Sequence, residues 1–321
     1  MAQFACSCGD GMGKLGLFDC FDVATATQRD IFVQTYDSEG NRNGIPSPTQ
    51  DPSAWENGKL KESYIISMLD NPDPTKRWNI TWKTYNNITP GRTEDKVETT
   101  GDDSIFVLSN GVGTFEGQIK KVPTAWTSLI TQGSCSDFST FNIGQGGELS
   151  GETSADGTFL YPLRIQKGSL TAKSFAKTND AEQYVQINYQ LSKLADEGSF
   201  ITLQANSIEA DMLNAQSLTG YVLTEVAGST DTNLLVSATS GKFGQAFNYK
   251  ALIGATESTD WTVLDGVTPV VVTSVTETSD GNYDLLIPTN PATALTISYL
   301  KTRTSATAFG ACSDSIVITT P

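Results

Sequence analysis

The stretch that decides the fold is Gln183-Tyr-Val-Gln-Ile-Asn-Tyr-Gln-Leu-Ser192. Val185, Ile187, Tyr189 and Leu191 recur at every second position, and Gln186, Asn188 and Gln190 fill the positions between. A period of two puts the first set on one side of a pleated strand and the second set on the other. The apolar side requires a core. The amide side faces solvent or lines a wet channel, where it would neither hold phosphate nor offer a sticky apolar wall.

Similar short apolar runs lie on both sides. Arg29–Tyr36, Trp78–Tyr85, Ser139–Ile143 and Phe159–Gln166 read as strands. Ser104–Leu108 and Thr114–Ile119 read as a hairpin, because Asn110-Gly111 between them suits a tight turn. Two segments break the β pattern. Leu60, Tyr64, Ile65, Met68 and Leu69 recur at helical spacing, predicting a helix over Lys61–Leu69 that Asn71-Pro-Asp-Pro74 stops. Pro123 opens a second helix that Gly133 ends. Residues 37–55, with Asp37-Ser-Glu-Gly-Asn-Arg-Asn-Gly44 and three prolines, read as a long irregular loop of the kind that is functional or unstructured.

Near Val222 the composition changes. Residues 1–222 carry 27 acidic and 17 basic side chains, whereas 223–321 carry 9 and 4 and are rich in Thr, Val and Ser. Runs at Asn233–Ala238, Phe247–Leu252, Thr262–Leu264, Val270–Val275, Tyr283–Ile287, Leu295–Leu300 and Ser315–Thr319 read as serial strands. That density fits an immunoglobulin-like sandwich, without the Cys…Trp…Cys spacing of antibody domains. Two domains follow, 1–222 and 223–321, and the fold class is mainly β.

Composition narrows the chemistry. The 321 residues are 38% hydrophobic and 18% charged, with a net charge of −15. Such a surface repels nucleic acid, so tight DNA binding is not expected. There is no histidine. This removes Ser-His-Asp and Cys-His catalysis, imidazole metal ligands and the usual general base near neutral pH. No enzyme is expected. No apolar run of signal-peptide length follows Met1, and no run of about 18 apolar residues reads as a membrane span. The Asn-Ile-Thr triplets at Asn79 and Asn87 read as ordinary strand and turn residues.

Gly11-Met-Gly13-Lys-Leu-Gly16 has the G-x-G-x-x-G spacing, yet lacks the preceding strand and following helix that a dinucleotide loop needs. Cys6, Cys8, Cys20 and Cys135 supply one C-x-C and two isolated thiols, short of the paired knuckles of structural zinc. A Cys6–Cys20 disulfide is an alternative. Packed free thiols are the reading that five cysteines, an odd number, and the small apolar thiol favour. Neither metal nor cofactor is expected. Asp19/Asp22, Glu94-Asp95, Asp102-Asp103 and Asp196-Glu197 read as acidic turn residues.

The order of features resembles the tail tube (major tail) proteins of tailed bacteriophages, especially those of Bacteroidetes-type hosts. The segments carrying this are the G-x-G-K-L-G arm, Leu69-Asp-Asn-Pro-Asp-Pro-Thr-Lys-Arg-Trp78, Ile105-Phe-Val-Leu-Ser-Asn-Gly-Val-Gly-Thr-Phe-Glu-Gly117, Asp156-Gly-Thr-Phe-Leu-Tyr-Pro-Leu-Arg-Ile165 and the strand at 183–192. The resemblance spans about residues 1–222 and implies a β-sandwich or barrel with one packed helix and an N-terminal arm, 1–27. It implies hexameric rings of this chain that stack into a DNA conduit, tied by the arm and by the 37–55 loop. Implied partners are further copies, the tape measure, terminator and baseplate or tip proteins, and genomic DNA passing without tight binding. No membrane is involved, and the place is the virion tail, after synthesis in the bacterial cytoplasm.

On this reading Phe4, Leu15, Leu17 and Phe18 anchor the arm on a neighbouring subunit. Gln186, Asn188 and Gln190 face the lumen, with Ile105–Ile119 and Tyr161–Ile165 as further lumen strands. A capsid decoration or fibre protein, or a surface adhesin or carbohydrate-binding module, are the alternatives.

Overall fold

A computed structural model describes residues 26–81, 83–99, 105–109, 111–120, 137–177, 182–193, 199–230, 232–240, 250–252, 254–288, 294–301, 303–308, 310–313 and 315–319. The chain is mainly β and divides into two units. The first is Met1–Ser217 with Ser305–Thr307, and the second is the remainder.

In the first unit the strands are β1 (Arg29–Gln34), β2 (Ile45–Pro46), β3 (Trp55–Glu56), β4 (Lys59–Leu60), β5 (Asn79–Ile80), β6 (Asn87–Arg92), β7 (Lys96–Thr99), β8 (Ile105–Ser109), β9 (Gly113–Lys120), β10 (Phe138–Ile143), β11 (Leu149–Thr153), β12 (Phe159–Tyr161), β13 (Leu163–Arg164), β14 (Thr171–Phe175), β15 (Tyr184–Gln190) and β16 (Phe200–Leu203). A single helix, α1 (Glu62–Leu69), lies among its described residues.

β1 organises this unit because both of its faces are buried. Ile31 and Val33 enter one core and Phe32 enters another. β1 runs antiparallel to β10 along its whole length, from Arg29↔Ile143 to Gln34↔Phe138. Around them forms an eight-stranded sheet, β2-β12-β11-β10-β1-β5, with β13 on β10 and β16 on β11. On the Ile31 side, α1 buries Ile65 and Leu69 against Trp78, Ile80 and Phe141. Each of the two helix side chains contributes roughly 2 kcal/mol by leaving water. On the Phe32 side packs a four-stranded antiparallel sheet, β14-β15-β9-β6.

Several expectations need correction. Leu60 belongs to the β3–β4 hairpin, opposite Trp55, and not to the helix. The predicted hairpin across Asn110-Gly111 does not form: β8 pairs with β7, and β9 pairs with β6 and β15. Between the two pairings, Thr93 N donates to Val112 O at 2.9 Å and Val112 N donates to Thr93 Oγ1 at 2.8 Å. Residues 87–99, 105–109 and 111–120 therefore form one long ribbon. A Cβ on Gly111 would lie 1.7 Å from Thr93 O, so glycine is required there by close approach of the two chains.

The segment 37–55 is not a free loop. Asp37 Oδ1 accepts from the backbone N–H of Asn41 at 2.7 Å and of Glu39 at 3.0 Å, closing the turn. Arg42 then bonds Glu152 and lies 4.2 Å from the Tyr161 ring centroid. Ile45 pairs with Leu160 on β12, and Trp55 Nε1 donates to Pro46 O at 2.8 Å. Ile45, Ala54 and Trp55 are buried in the main core. Its apolar residues are drawn inward, while Ser38–Asn41 stay exposed. The helix expected at 123–132 lies outside the described residues.

The boundary also differs from residue 222. Arg29 is 3% exposed and donates to the carbonyls of Leu213 and Ala215, each at 2.7 Å, and to Thr81 O. Ser217 Oγ accepts from Ile80 N at 2.7 Å. These bonds hold the chain in the first unit as far as Ser217, and position 222 falls inside the next strand. The first unit also takes back Ser305–Thr307: Glu62 Oε1 accepts from Ser305 Oγ and from Ala306 N, and Ala306 is fully buried.

The second unit comprises β17 (Thr219–Glu225), β18 (Asn233–Ser240), β19 (Lys250–Ala251), β20 (Trp261–Asp265), β21 (Thr268–Val270), β22 (Ser274–Ser279), β23 (Asn282–Leu286), β24 (Ala294–Lys301), β25 (Ala311–Ser313) and β26 (Ile316–Thr319). One sheet runs β17-β18-β23-β22 and the other β21-β20-β24-β26. β25 joins them, parallel to β17 and antiparallel to β24. This is the strand order of an immunoglobulin-type sandwich. Where antibody domains pack a tryptophan on a disulfide, Trp261 packs between Tyr283 and Tyr299, with ring centroids 5.2 and 4.9 Å away.

Candidate functional site

The outer face of the four-stranded sheet brings together the chemistry singled out in the sequence. β15 alternates as its composition requires: Val185, Ile187 and Tyr189 are buried, and Gln186, Asn188 and Gln190 are half-buried on the opposite side. Register extends this face across the sheet. Gln186 stands beside Lys173 on β14 and Gln118 on β9, which faces Asn87 on β6. Asn188 stands between Thr171 and Glu116, which faces Thr89. Gln190 stands beside Thr114. Gln186 Nε2 donates to Asn188 Oδ1 at 3.3 Å along the strand.

The result is a polar ladder of amides and hydroxyls with one carboxylate. Lys173 and Lys120 lie toward the end where Phe175 and Tyr184 stack at 4.7 Å. Near the other end an open groove of about 360 Å³ is lined by Thr89, Thr114, Glu116, Ser169, Asn188 and Gln190 among others. The face has no metal-type cluster, since no group of three or more acidic or cysteine side chains gathers among the described residues.

The inner face explains how the sheet is held. Phe115 stacks on Tyr189 at 4.8 Å and meets the edge of Tyr85 at 5.1 Å. Gly117 on β9 makes room for Tyr85, because a Cβ there would lie 2.5 Å from its ring. With its ring in that space, Tyr85 Oη donates to Asp30 Oδ2 at 2.6 Å. Asn142 Nδ2 donates to Asp30 Oδ1 at 2.6 Å, and Tyr189 Oη lies 3.4 Å from both carboxylate oxygens. Asp30 is 0% exposed. Burial pushes its carboxyl up to about 6, against the opposing hydrogen bonds from Tyr85, Asn142 and Tyr189. Burial first, and then the Asp30 charge, hold both tyrosine hydroxyls well above their usual range.

Other expected residues fall elsewhere. Thr114, Glu116 and Gln118 bring β9 onto the polar face, but Tyr161–Ile165 does not reach it. Tyr161 and Leu163–Arg164 lie in strands of the eight-stranded sheet, and Ile165 bridges Leu191 and is buried between the sheets. Phe4, Leu15, Leu17 and Phe18 lie outside the described residues, as do Gly11–Gly16, Cys6, Cys8, Cys20, Cys135, Asp19, Asp22, Asp102-Asp103 and Asp196-Glu197. Asp95 accepts from Gly111 N within the long ribbon, a structural use. The Asp30 cluster was missed. The signal was a carboxylate directly ahead of an apolar strand run, Asp30-Ile-Phe-Val33.

No helix among the described residues is long and apolar enough to cross a membrane. No family model matches this chain, and no curated protein matches it. Among solved structures it is similar to Bacteroides ovatus mixed-linkage glucan utilization locus SGBP-B in complex with a mixed-linkage heptasaccharide. The identity is 12% over 76% of this chain and 62% of that one, with a TM-score of 0.19. The match spans less than two thirds of that protein, and a similarity of this size carries no inference about ligand or assembly.

Proposed function

We propose that this chain is the structural subunit of a phage tail tube, stacking in rings of its own copies around a passage for DNA. One observation carries the reading: a four-stranded antiparallel sheet buries one face in the core and offers the other as a ladder of amides and hydroxyls. A wall that must let DNA pass gains nothing from gripping phosphate; the amides and hydroxyls avoid it, and the cations of this face, Lys173 and Lys120, stand toward one end. β6 ends this sheet and carries Pro90, a residue that sheets confine to edges or bulges. Pro90 has no N–H to offer at this edge, so a sheet continuing from copy to copy when rotation closes the ring would pair through the rest of β6 or through the opposite edge strand, β14. The ribbon continuing as β7 and β8 extends beyond the sheet, and it joins 37–55 as a segment that would tie one ring to the next. The first-unit fold and the immunoglobulin-type second unit fit a wall and an added domain in that order.

Negative-stain microscopy of the purified protein at rising concentration tests this. Rings or hollow tubes support the proposal; monomers alone at every concentration refute it. A carbohydrate-binding module is the second reading, favoured by the stacked, part-exposed Phe175–Tyr184 pair at the opposite end of the face that carries the polar groove. Glycan-array binding abolished by Tyr184→Ala supports that reading instead.

A further inference from the structure

The observation that reaches furthest is the carboxylate between the two sheets of the first unit. Asp30 lies on β1 of the eight-stranded sheet and is fully buried. Its partners come from both sides of the packing: Asn142 from β10 in its own sheet, Tyr189 from β15 in the four-stranded sheet, and Tyr85 from the segment leading into β6. The titratable groups facing it are those two tyrosine hydroxyls. Its neighbour Arg29 points to the other side of β1, where it serves the carbonyls of Thr81, Leu213 and Ala215. No guanidinium or ammonium hydrogen-bonds to the carboxylate among the described residues.

We propose that Asp30 is a proton-operated tie between the two sheets. With the proton bound, the four-stranded sheet is held against the eight-stranded one; with the proton lost, a buried charge without a cationic partner favours opening to water. The device belongs to the single subunit and needs no assembly. Burial disfavours an uncompensated charge, and opening lets water solvate it. The direction is opposite to the usual loss of stability in acid. The folded carboxyl titrates near 6 and the exposed one near 3.8, so its contribution is full below about pH 3.8 and lost as pH rises through 6.

Hydrogen exchange at the β15 amides, Tyr184–Gln190, tests the tie after correction for the intrinsic pH dependence of exchange. Between pH 5 and 7.5 the opening constant should rise about tenfold by proton linkage between the two carboxyl values. Asp30→Asn, which keeps the shape and removes the charge, should leave it flat over the same range. Tyr85→Phe removes one of the two closest donors to the ionised form, at 2.6 Å, and should move the transition to higher pH. A flat wild type, an Asp30→Asn protein that keeps the tenfold change, or a Tyr85→Phe transition that stays or moves down would each overturn the proposal.

Discussion

Replacing Ile187 with alanine separates the two faces of β15. Ile187 is 0% exposed, in the core with Phe115, Ile119 and Val185. Truncating a fully buried isoleucine costs the transfer of the lost groups plus the cavity, about 3 kcal/mol. With a urea dependence of about 3 kcal/mol per molar, the first unit's midpoint falls by about 1 M. Gln186→Ala and Asn188→Ala remove half-buried amides that meet each other only through one 3.3 Å bond. Each should stay within about 0.5 kcal/mol, or roughly 0.2 M. Urea unfolding followed by hydrogen exchange of β9 and β15 peptides assigns the change to the first unit. Equal costs for Ile187→Ala and Gln186→Ala would mean that the assignment of core and polar faces is wrong.

Other substitutions probe separate parts of the account. Gly117→Ala places a Cβ against the Tyr85 ring and should cost about 1–3 kcal/mol in thermal or urea unfolding by overpacking; a neutral result would contradict the packing of Tyr85. Arg42→Ala leaves Glu152, 4% exposed, without its cation and should cost about 3–5 kcal/mol, read as a lower midpoint together with faster proteolysis at 37–44. An unchanged midpoint would mean that 37–55 is not clamped as described. On the proposed tail-tube reading, converting Gln186, Asn188 and Gln190 together to lysine should leave assembly intact but make the tubes retain DNA at about 50 mM salt and release it toward about 200 mM. Tubes that stay indifferent to DNA would show that this face does not meet it.

Legibility in the sequence followed the range of the interactions. The alternation at 183–192 and the helical spacing near 61–69 are local, and both elements formed within a few residues of expectation. Most of the second unit's strands were legible because short β runs between turn residues repeat through it, but Val270–Val275 is not one strand: the chain leaves β21 at Val270 and crosses to the other sheet, where β22 begins at Ser274. Asn110-Gly111 misled because its turn chemistry competes with pairing to Thr93, seventeen or more residues upstream in the chain, which nothing local reports. The 37–55 segment misled because its polar turn at Asp37–Asn41 conceals Ile45, Ala54 and Trp55, which pack with distant partners. The polar face was only half legible: β15 announced its own amides, but Lys173, Gln118 and Glu116 joined them through register alone. Asp30 was hidden for the same reason, since Tyr85, Asn142 and Tyr189 reach it from three separate places.

The most direct measurement is a cryo-EM reconstruction of the purified protein after concentration. The account predicts hollow tubes of stacked rings, with Gln186, Asn188 and Gln190 on the inner wall and the immunoglobulin-type unit outside it. Particles that remain single subunits, or tubes whose inner wall is built from other strands, would contradict it.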